Sequence, residues 1–408
     1  MKVFRFIHNL TNPNYNKPFT LLLWGRLVSQ LGDKLYLLAL PWLVLDLTHS
    51  AAQSAITLAL ETLPIIILAP FIGVYVDRIS RKLLMISTDF LRGVIVGLIS
   101  FLAIIDRVEM LHIYLAAFLL SALTLAFDSS SQGFLAHVVA KEKLVEANAA
   151  LTFINTLMRL AGPVLSGIFI TAIGAPGTIG LNALSFFLSG LILSFLPMDR
   201  ISTELKTKGA TIFSDIKEGF SYLFNHQILL PIALFSTAMN VGINLVSTLL
   251  IFESKESLGY TSNETAIIFW VSGITTSLAV LLLKPLKKVM DKGQMIRYGS
   301  LGVLLSILIL IYQQSLATIT ISYSLIMMVG VIVNVNMMAY RQEIIPNHLF
   351  GRVMTSSRVL VSAFTPLAMI ASGFLATLYS ARFVFIVAAV IISINVLYAW
   401  FSRLRHIR

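Results

Sequence analysis

Apolar runs of about 20 residues, the length that crosses a hydrocarbon core roughly 30 Å thick, recur along nearly the whole chain. Charge, Pro or Gly closes each run. Twelve spans are read this way, at 19–46, 52–76, 83–105, 111–131, 150–173, 178–197, 230–252, 263–283, 297–313, 316–339, 353–378 and 381–401. The longest polar stretch, 198–229, follows the sixth span and contains "IFSDIKEGFSYLFNHQILL". Its Ile212, Ile216, Phe220 and Leu223 share one helical face, which predicts an amphipathic surface helix within 210–226. The expected organisation is an N-terminal segment 1–18, a six-helix bundle 19–197, a linker 198–229, a second six-helix bundle 230–401 and a basic tail 402–408.

Composition supports an all-α membrane protein. Hydrophobic residues make up 57% of the 408, charged residues only 12%, and mean hydropathy is +0.87. The net charge of +11 would fit nucleic acid as a partner, but membrane topology explains it better. With the N-terminus inside, 22 of the 30 Lys and Arg fall on the cytoplasmic side. Only Arg107, Lys255 and Arg382 fall outside, a bias that the positive-inside rule requires. Both termini are therefore expected in the cytoplasm and the chain in the cell membrane, with lipid as a partner and no nucleic acid. The opening residues lack the apolar core of a cleavable signal. There is no cysteine, which excludes disulfides, thiolate metal sites and cysteine nucleophiles.

The two halves echo one another. "HVVAKEKLVEAN" before span five is similar to "EIIPNHLFGRV" before span eleven, and Pro163 and Pro366 occupy corresponding spans. Such repeats are typical of secondary transporters, whose substrate site lies between the halves. Between spans two and three stands "GVYVDRISRKLL", with Gly73, Asp77, Arg78, Arg81 and Lys82. It resembles the major facilitator superfamily loop motif, with Ser80 where a further Gly is usual. "RLAGPVLSG" resembles the antiporter motif of span five through Gly162, Pro163 and Gly167, but departs from it at Met158 and Ser166. The resemblance covers essentially the whole chain and points to the twelve-span drug–proton antiporter branch. It implies the major facilitator fold, two pseudo-symmetric bundles and a loop that latches the cytoplasmic side, with Arg352 and Arg358 as partners of Asp77. The competing reading is that the loop's bases serve topology alone. The branch's usual span-four arginine is absent, and Arg159 is the expected stand-in.

Ionisable groups within a membrane are costly and need a reason. The first half holds Arg26, Asp33, Lys34, Glu61, Asp89, Arg92, Asp128 and Arg159, the second only Arg358 and Glu253 near span ends. Depth along the helices divides the first set. Asp89, Arg92, Asp128 and Arg159, with Arg26, fall near the cytoplasmic ends and are expected to form one paired network. Asp33 and Glu61 fall near mid-span. On span one Arg26, Ser29, Gln30, Asp33 and Leu37 share a face, a polar stripe toward a cavity. Burial favours the neutral form of a carboxylic acid, which suits such a group to carrying a proton. Asp33 is thus the first candidate for coupling or substrate binding and Glu61 the second. Alternatively, Lys34 pairs with Asp33 and holds it ionised.

In the second half Asn240 and Asn244 lie one turn apart on span seven, and Asn334, Asn336 and Met337 crowd span ten. Amides beside Met suit an adaptable site for amphipathic molecules, although each Asn also fits an interhelical hydrogen bond. The expected function is proton-driven export of an amphipathic small molecule by a monomer, with no cofactor and no metal. A siderophore exporter, or a lysophospholipid transporter to which "LGDK" is similar, is the alternative within transport. A non-transporting receptor or scaffold is the alternative outside it. No hydrolase, zincin or nucleotide-binding motif supports an enzyme.

Overall fold

The computed structural model describes residues 17–76, 79–198, 212–312, 315–346, 349–402 and 404. Among them every regular element is helical: α1 (Lys17–Thr48), α2 (Ala51–Val76), α3 (Arg81–Ile104), α4 (Met110–Val138), α5 (Leu144–Ser194), α6 (Ile212–Asn225), α7 (Leu229–Phe252), α8 (Ser262–Leu286), α9 (Lys292–Tyr312), α10 (Leu316–Ile344), α11 (Phe350–Ala363), α12 (Thr365–Leu378) and α13 (Ala381–Phe401). Ten stretches among the described residues are long and apolar enough to cross a membrane. They become twelve passes when α5 is divided at its kink and α1, more polar but 32 residues long, is counted.

Three boundaries differ from the sequence reading, each for a local reason. The four-residue gap expected between spans five and six shrinks to Gly174, at φ 72° and ψ 170°, a conformation open to glycine alone. Pro176 already lies in the next helical turn, where its missing N–H costs nothing. Span eleven divides between α11 and α12 because Pro366 cannot continue the hydrogen-bond ladder. Span ten runs past 339 to Ile344 and stops just before Pro346, so Arg341 lies inside the helix.

The chain forms two compact units that divide at residues 207 and 208, with Thr48–Ala59 counted to the second. Within the first, α5 meets α1 closely. A Cβ on Gly162 would collide with the Lys34 side chain, and the Ser166 hydroxyl donates to the Leu35 carbonyl at 2.8 Å. The departure from the span-five motif at Ser166 thus supplies a hydrogen bond between helices. The second unit repeats the contact: Ser372 of α12 donates to Leu245 of α7, also at 2.8 Å. Gly32 packs on Ser185 and Asn182 in the first unit, as Gly242 packs on Ile392 in the second. Small residues at such crossings let backbones approach where water gives no drive for association.

Helix α6 docks within the second unit. Leu223 is buried with Leu349 and Val353, Phe220 packs beside them, and Glu218 pairs with Arg352. The side chains of Ile212 and Ile216 lie outside the described residues. A Cβ on Gly219 would sit 2.5 Å from the Arg352 carbonyl oxygen, and that backbone cannot yield. Gly219→Val should therefore loosen α6 from α11 at a cost of about 1–3 kcal/mol. Limited trypsin digestion should read this as faster cleavage at Lys217, and an unchanged rate would mean that α6 is not docked.

Candidate functional site

The first unit encloses a polar cavity of about 400 Å³ lined by Arg26, Gln30, Asp33, Lys34, Arg92 and Asp128, with Ser29, Thr124, Phe127, Gln132 and Asn155. Helix α1 contributes the stripe at 26, 29, 30 and 33 that its periodicity predicts. Leu37, the next position of that stripe, is exposed.

Arg92 is the centre of the charge arrangement. Its side chain is 1% exposed and its guanidinium pairs with Asp89, which is wholly buried. The same group donates to the Thr124 hydroxyl at 3.3 Å and stands 3.9 Å from the Asp33 carboxylate. The Phe127 and Phe186 rings flank it, with centroids 4.7 and 4.3 Å from the guanidinium carbon. A cation between ring faces in a dry setting gains electrostatic attraction as well as packing. Arg26 forms a second pair, donating to Asp128 at 2.9 Å and to Ser131 at 2.8 Å.

Depth along the helices separated Asp33 from Arg92, yet the long arginine side chain brings them together. Of the network expected among Arg26, Asp89, Arg92, Asp128 and Arg159, the structure shows the pairs Arg92–Asp89 and Arg26–Asp128. Arg159 is exposed on α5 and is not among the residues that line this cavity. Lys34 lines the cavity, but among the described residues it has no carboxylate within ion-pair distance. The alternative in which Lys34 holds Asp33 is therefore not the geometry observed. Glu61 interacts electrostatically with Asp33, and the buried Tyr36 hydroxyl, which has no hydrogen-bond partner among the described residues, lies in the field of both.

The loop motif is described in part. Asp77 and Arg78, on which the latch expectation falls, lie outside the described residues, as does the environment of Gly73. Ser80, the departure from the motif, is the N-cap of α3 and accepts from the Leu83 amide at 3.4 Å. Arg81 lies across Gly133 and donates to its carbonyl at 3.1 Å, while Lys82 donates to the Leu196 carbonyl. Both bases thus tie helix ends within the first unit. Arg352 reaches Glu218, and Arg358 is exposed.

The second unit holds a cavity of about 260 Å³, mostly apolar, lined by Asn240, Asn334 and Met337 among Phe235, Ser236, Met239, Ile243, Ile326 and other residues of α7, α10 and α11. Asn244 donates to the side chain of Asn240 and holds it in place. Asn336 does not reach this cavity: it is wholly buried and donates to the Ile332 carbonyl and the Met295 sulfur. Alternation along span ten cannot separate it from Asn334, because a helix turns 100° per residue. Sequence reasoning missed Arg341, counted there as a cytoplasmic base. It is 8% exposed and donates to Ser236 at 2.9 Å. The apolar run that leads into Arg341 and the Ile344–Ile345 pair just beyond it are the available signal.

A family model described as Major Facilitator Superfamily matches residues 22–364. The chain belongs to the major facilitator superfamily. It is 25% identical over 293 residues to the uncharacterised MFS-type transporter YvqJ of Bacillus subtilis (strain 168), covering 71% of this chain and 68% of YvqJ. It is 25% identical over 385 residues to the multidrug efflux pump Tap of Mycolicibacterium fortuitum, covering 88% and 89%. Other curated relatives are matched over about half their length. The crystal structure of a bacterial homologue of the iron transporter ferroportin superposes with a TM-score of 0.74 at 16% identity, covering 94% of this chain and 98% of that one. That likeness shows the facilitator fold.

In this facilitator Arg92 and Asp89 form a fully buried ion pair beside the cavity. Arg92→Leu leaves Asp89 as a buried charge without compensation, and should destabilise the protein by about 3–5 kcal/mol. Adding Asp89→Leu should recover most of that loss. Denaturant unfolding of the detergent-solubilised variants measures both, and a double variant no more stable than the single one would contradict the pairing.

Proposed function

We propose that this transporter exports amphipathic small molecules across the cell membrane by exchange for protons, with both termini in the cytoplasm. The observation that carries the reading is the unequal pairing of the three acids around the first cavity. Asp128 is held by Arg26 at 2.9 Å and Asp89 is locked to Arg92. Among the described residues the one cation within ion-pair distance of Asp33 is the same Arg92, at 3.9 Å, with Lys34 and Arg26 acting from farther off, and the Asp33 side chain is 34% exposed. Arg92 is already neutralised by Asp89, so Asp33 is the carboxylate that exchanges this contact for a proton at least cost.

The charge count follows from that exchange. With Asp33 ionised, the cations Arg26, Lys34 and Arg92 are balanced by Asp33, Asp89 and Asp128. Once Asp33 takes a proton the set carries one net positive charge. A change of charge on walls of low dielectric alters the preference for a charged or dipolar substrate and for one conformation over another. Alternating access then requires that the protonated and the loaded forms favour opposite-facing states. Glu61, which feels the charge of Asp33, is the second proton acceptor in this scheme. The likeness to Tap, a multidrug efflux pump, supports export as the direction and drugs as the substrate class.

Proteoliposomes under an imposed pH gradient test the proposal, with ethidium, a zwitterionic amphiphile and 1-naphthoate as the substrate panel. Asp33→Asn should fold nearly as well as the parent, since Asn keeps the shape of the side chain and Arg92 keeps its pair with Asp89. Uphill transport should fall by about tenfold or more, while downhill movement partly survives. Normal pumping by Asp33→Asn with loss in Glu61→Gln would exchange their roles, and normal pumping by both would refute a proton route through this cavity.

A further inference from the structure

The second unit contains a buried cation for which the proton route has no use. Arg341 lies in the last turns of α10, 8% exposed, and among the described residues no carboxylate is within ion-pair distance of it. Its hydrogen bond goes to the Ser236 hydroxyl at 2.9 Å. That hydroxyl is itself committed as a donor, to the Ile232 carbonyl at 2.8 Å with the Met337 sulfur 3.2 Å away, so it can only accept from the arginine. A guanidinium has five N–H donors in a planar fork. The carboxylate of Glu343, two residues on, is occupied by Lys292 at 2.6 Å through both oxygens. A charge buried to this degree with one neutral partner is costly unless something else compensates it.

Ser236 and Met337, the two groups at this junction, also line the 260 Å³ cavity of the second unit. The other walls are apolar, with Met239, Ile243 and Ile326 on one side and the amides of Asn240 and Asn334 facing the space. The cavity therefore has an oily body and, behind its Ser236 wall, a guanidinium that reaches it through the Ser236 hydroxyl.

We propose that Arg341 and Ser236 form an oxyanion-binding end to this cavity, and that the molecule it takes is an amphiphile carrying a carboxylate, sulfonate or phosphate group. The guanidinium fork binds the two oxygens of such a group side by side, the geometry in which arginine surpasses lysine. The apolar part lies against Met239, Ile243 and Ile326, where flexible methionine adapts to varied shapes. The inference rests on the transport reading only in treating this cavity as a place for substrate. Favourable interaction of Arg341 with the C-terminal end of α10 is the structural alternative, and it predicts no selectivity among ligands.

The test is calorimetric titration of the full chain in neutral maltoside micelles, with no gradient, using 1-naphthoate, its neutral isostere 1-naphthamide and the cation 1-naphthylmethylammonium. Naphthoate should bind at least about tenfold more tightly than either, as a charge-assisted bidentate contact allows. Arg341→Gln should abolish that preference, Arg341→Lys should retain part of it, and Ser236→Ala should weaken it less. Equal affinity of the parent protein for the three ligands would overturn the proposal even if no Arg341 variant folds. So would a naphthoate preference that survives in Arg341→Gln. Repeating the titration in nanodiscs of phosphatidylcholine and of phosphatidylglycerol separates the sources of the oxyanion. Competition by phosphatidylglycerol alone assigns it to a lipid headgroup, and equal binding in both assigns it to a free solute. Because binding is read without transport, failure of proton coupling at Asp33 leaves this result standing, and loss of the naphthoate preference leaves the coupling result standing.

Discussion

A guanidinium cannot lose its charge in a membrane, so whatever surrounds Arg92 must compensate it permanently. Most of the first unit's polar chemistry follows from that constraint. Asp89 supplies the opposite charge, Thr124 a further acceptor, and Phe127 and Phe186 two ring faces. With one carboxylate already dedicated to it, Arg92 becomes a fixed and already balanced wall of the cavity. A second carboxylate near such a wall is stabilised when ionised without being required there. Asp33 occupies that position, 3.9 Å from the guanidinium that Asp89 pairs with directly.

The two units solve the same packing problem and carry different chemistry. Ser166 on Leu35 and Ser372 on Leu245 fasten equivalent helices, and glycines at the crossings admit close backbones. Asp33 and Asp128 line the cavity of the first unit. The second has instead a smaller apolar cavity with amides and one buried arginine. A division between a proton-handling unit and a ligand-handling unit is the simplest function such asymmetry supports, and coupling between them then operates through conformation.

Much of this was legible in the sequence, because membrane physics leaves strong marks. Unbroken apolar length gave the spans, and helical periodicity gave the face of α1 that lines the cavity. What escaped depended on side-chain reach or on a single backbone angle. Arg92 reads as too far from Asp33 in depth until several ångströms of flexible side chain are allowed for. Gly174 concentrates a whole turn in one residue, so a helix boundary drawn around "GAPG" was too wide. Ser80 and Ser166 read as faults in family motifs, yet one caps a helix and the other joins two. Arg341 was assigned to a loop because basic residues near span ends usually belong there, and only the extent of α10 reveals its burial. Asn334 and Asn336 are separated by helical rotation alone.

The claim on which the rest turns is that Asp33, among the acids of the first cavity, binds and releases the transported proton. Infrared difference spectroscopy of the purified protein between acidic and alkaline pH observes that event directly, because a protonated carboxylic acid absorbs apart from a carboxylate. The carbonyl band that appears on acidification should vanish in Asp33→Asn and persist in Asp128→Asn. A band that persists unchanged in Asp33→Asn would contradict the assignment.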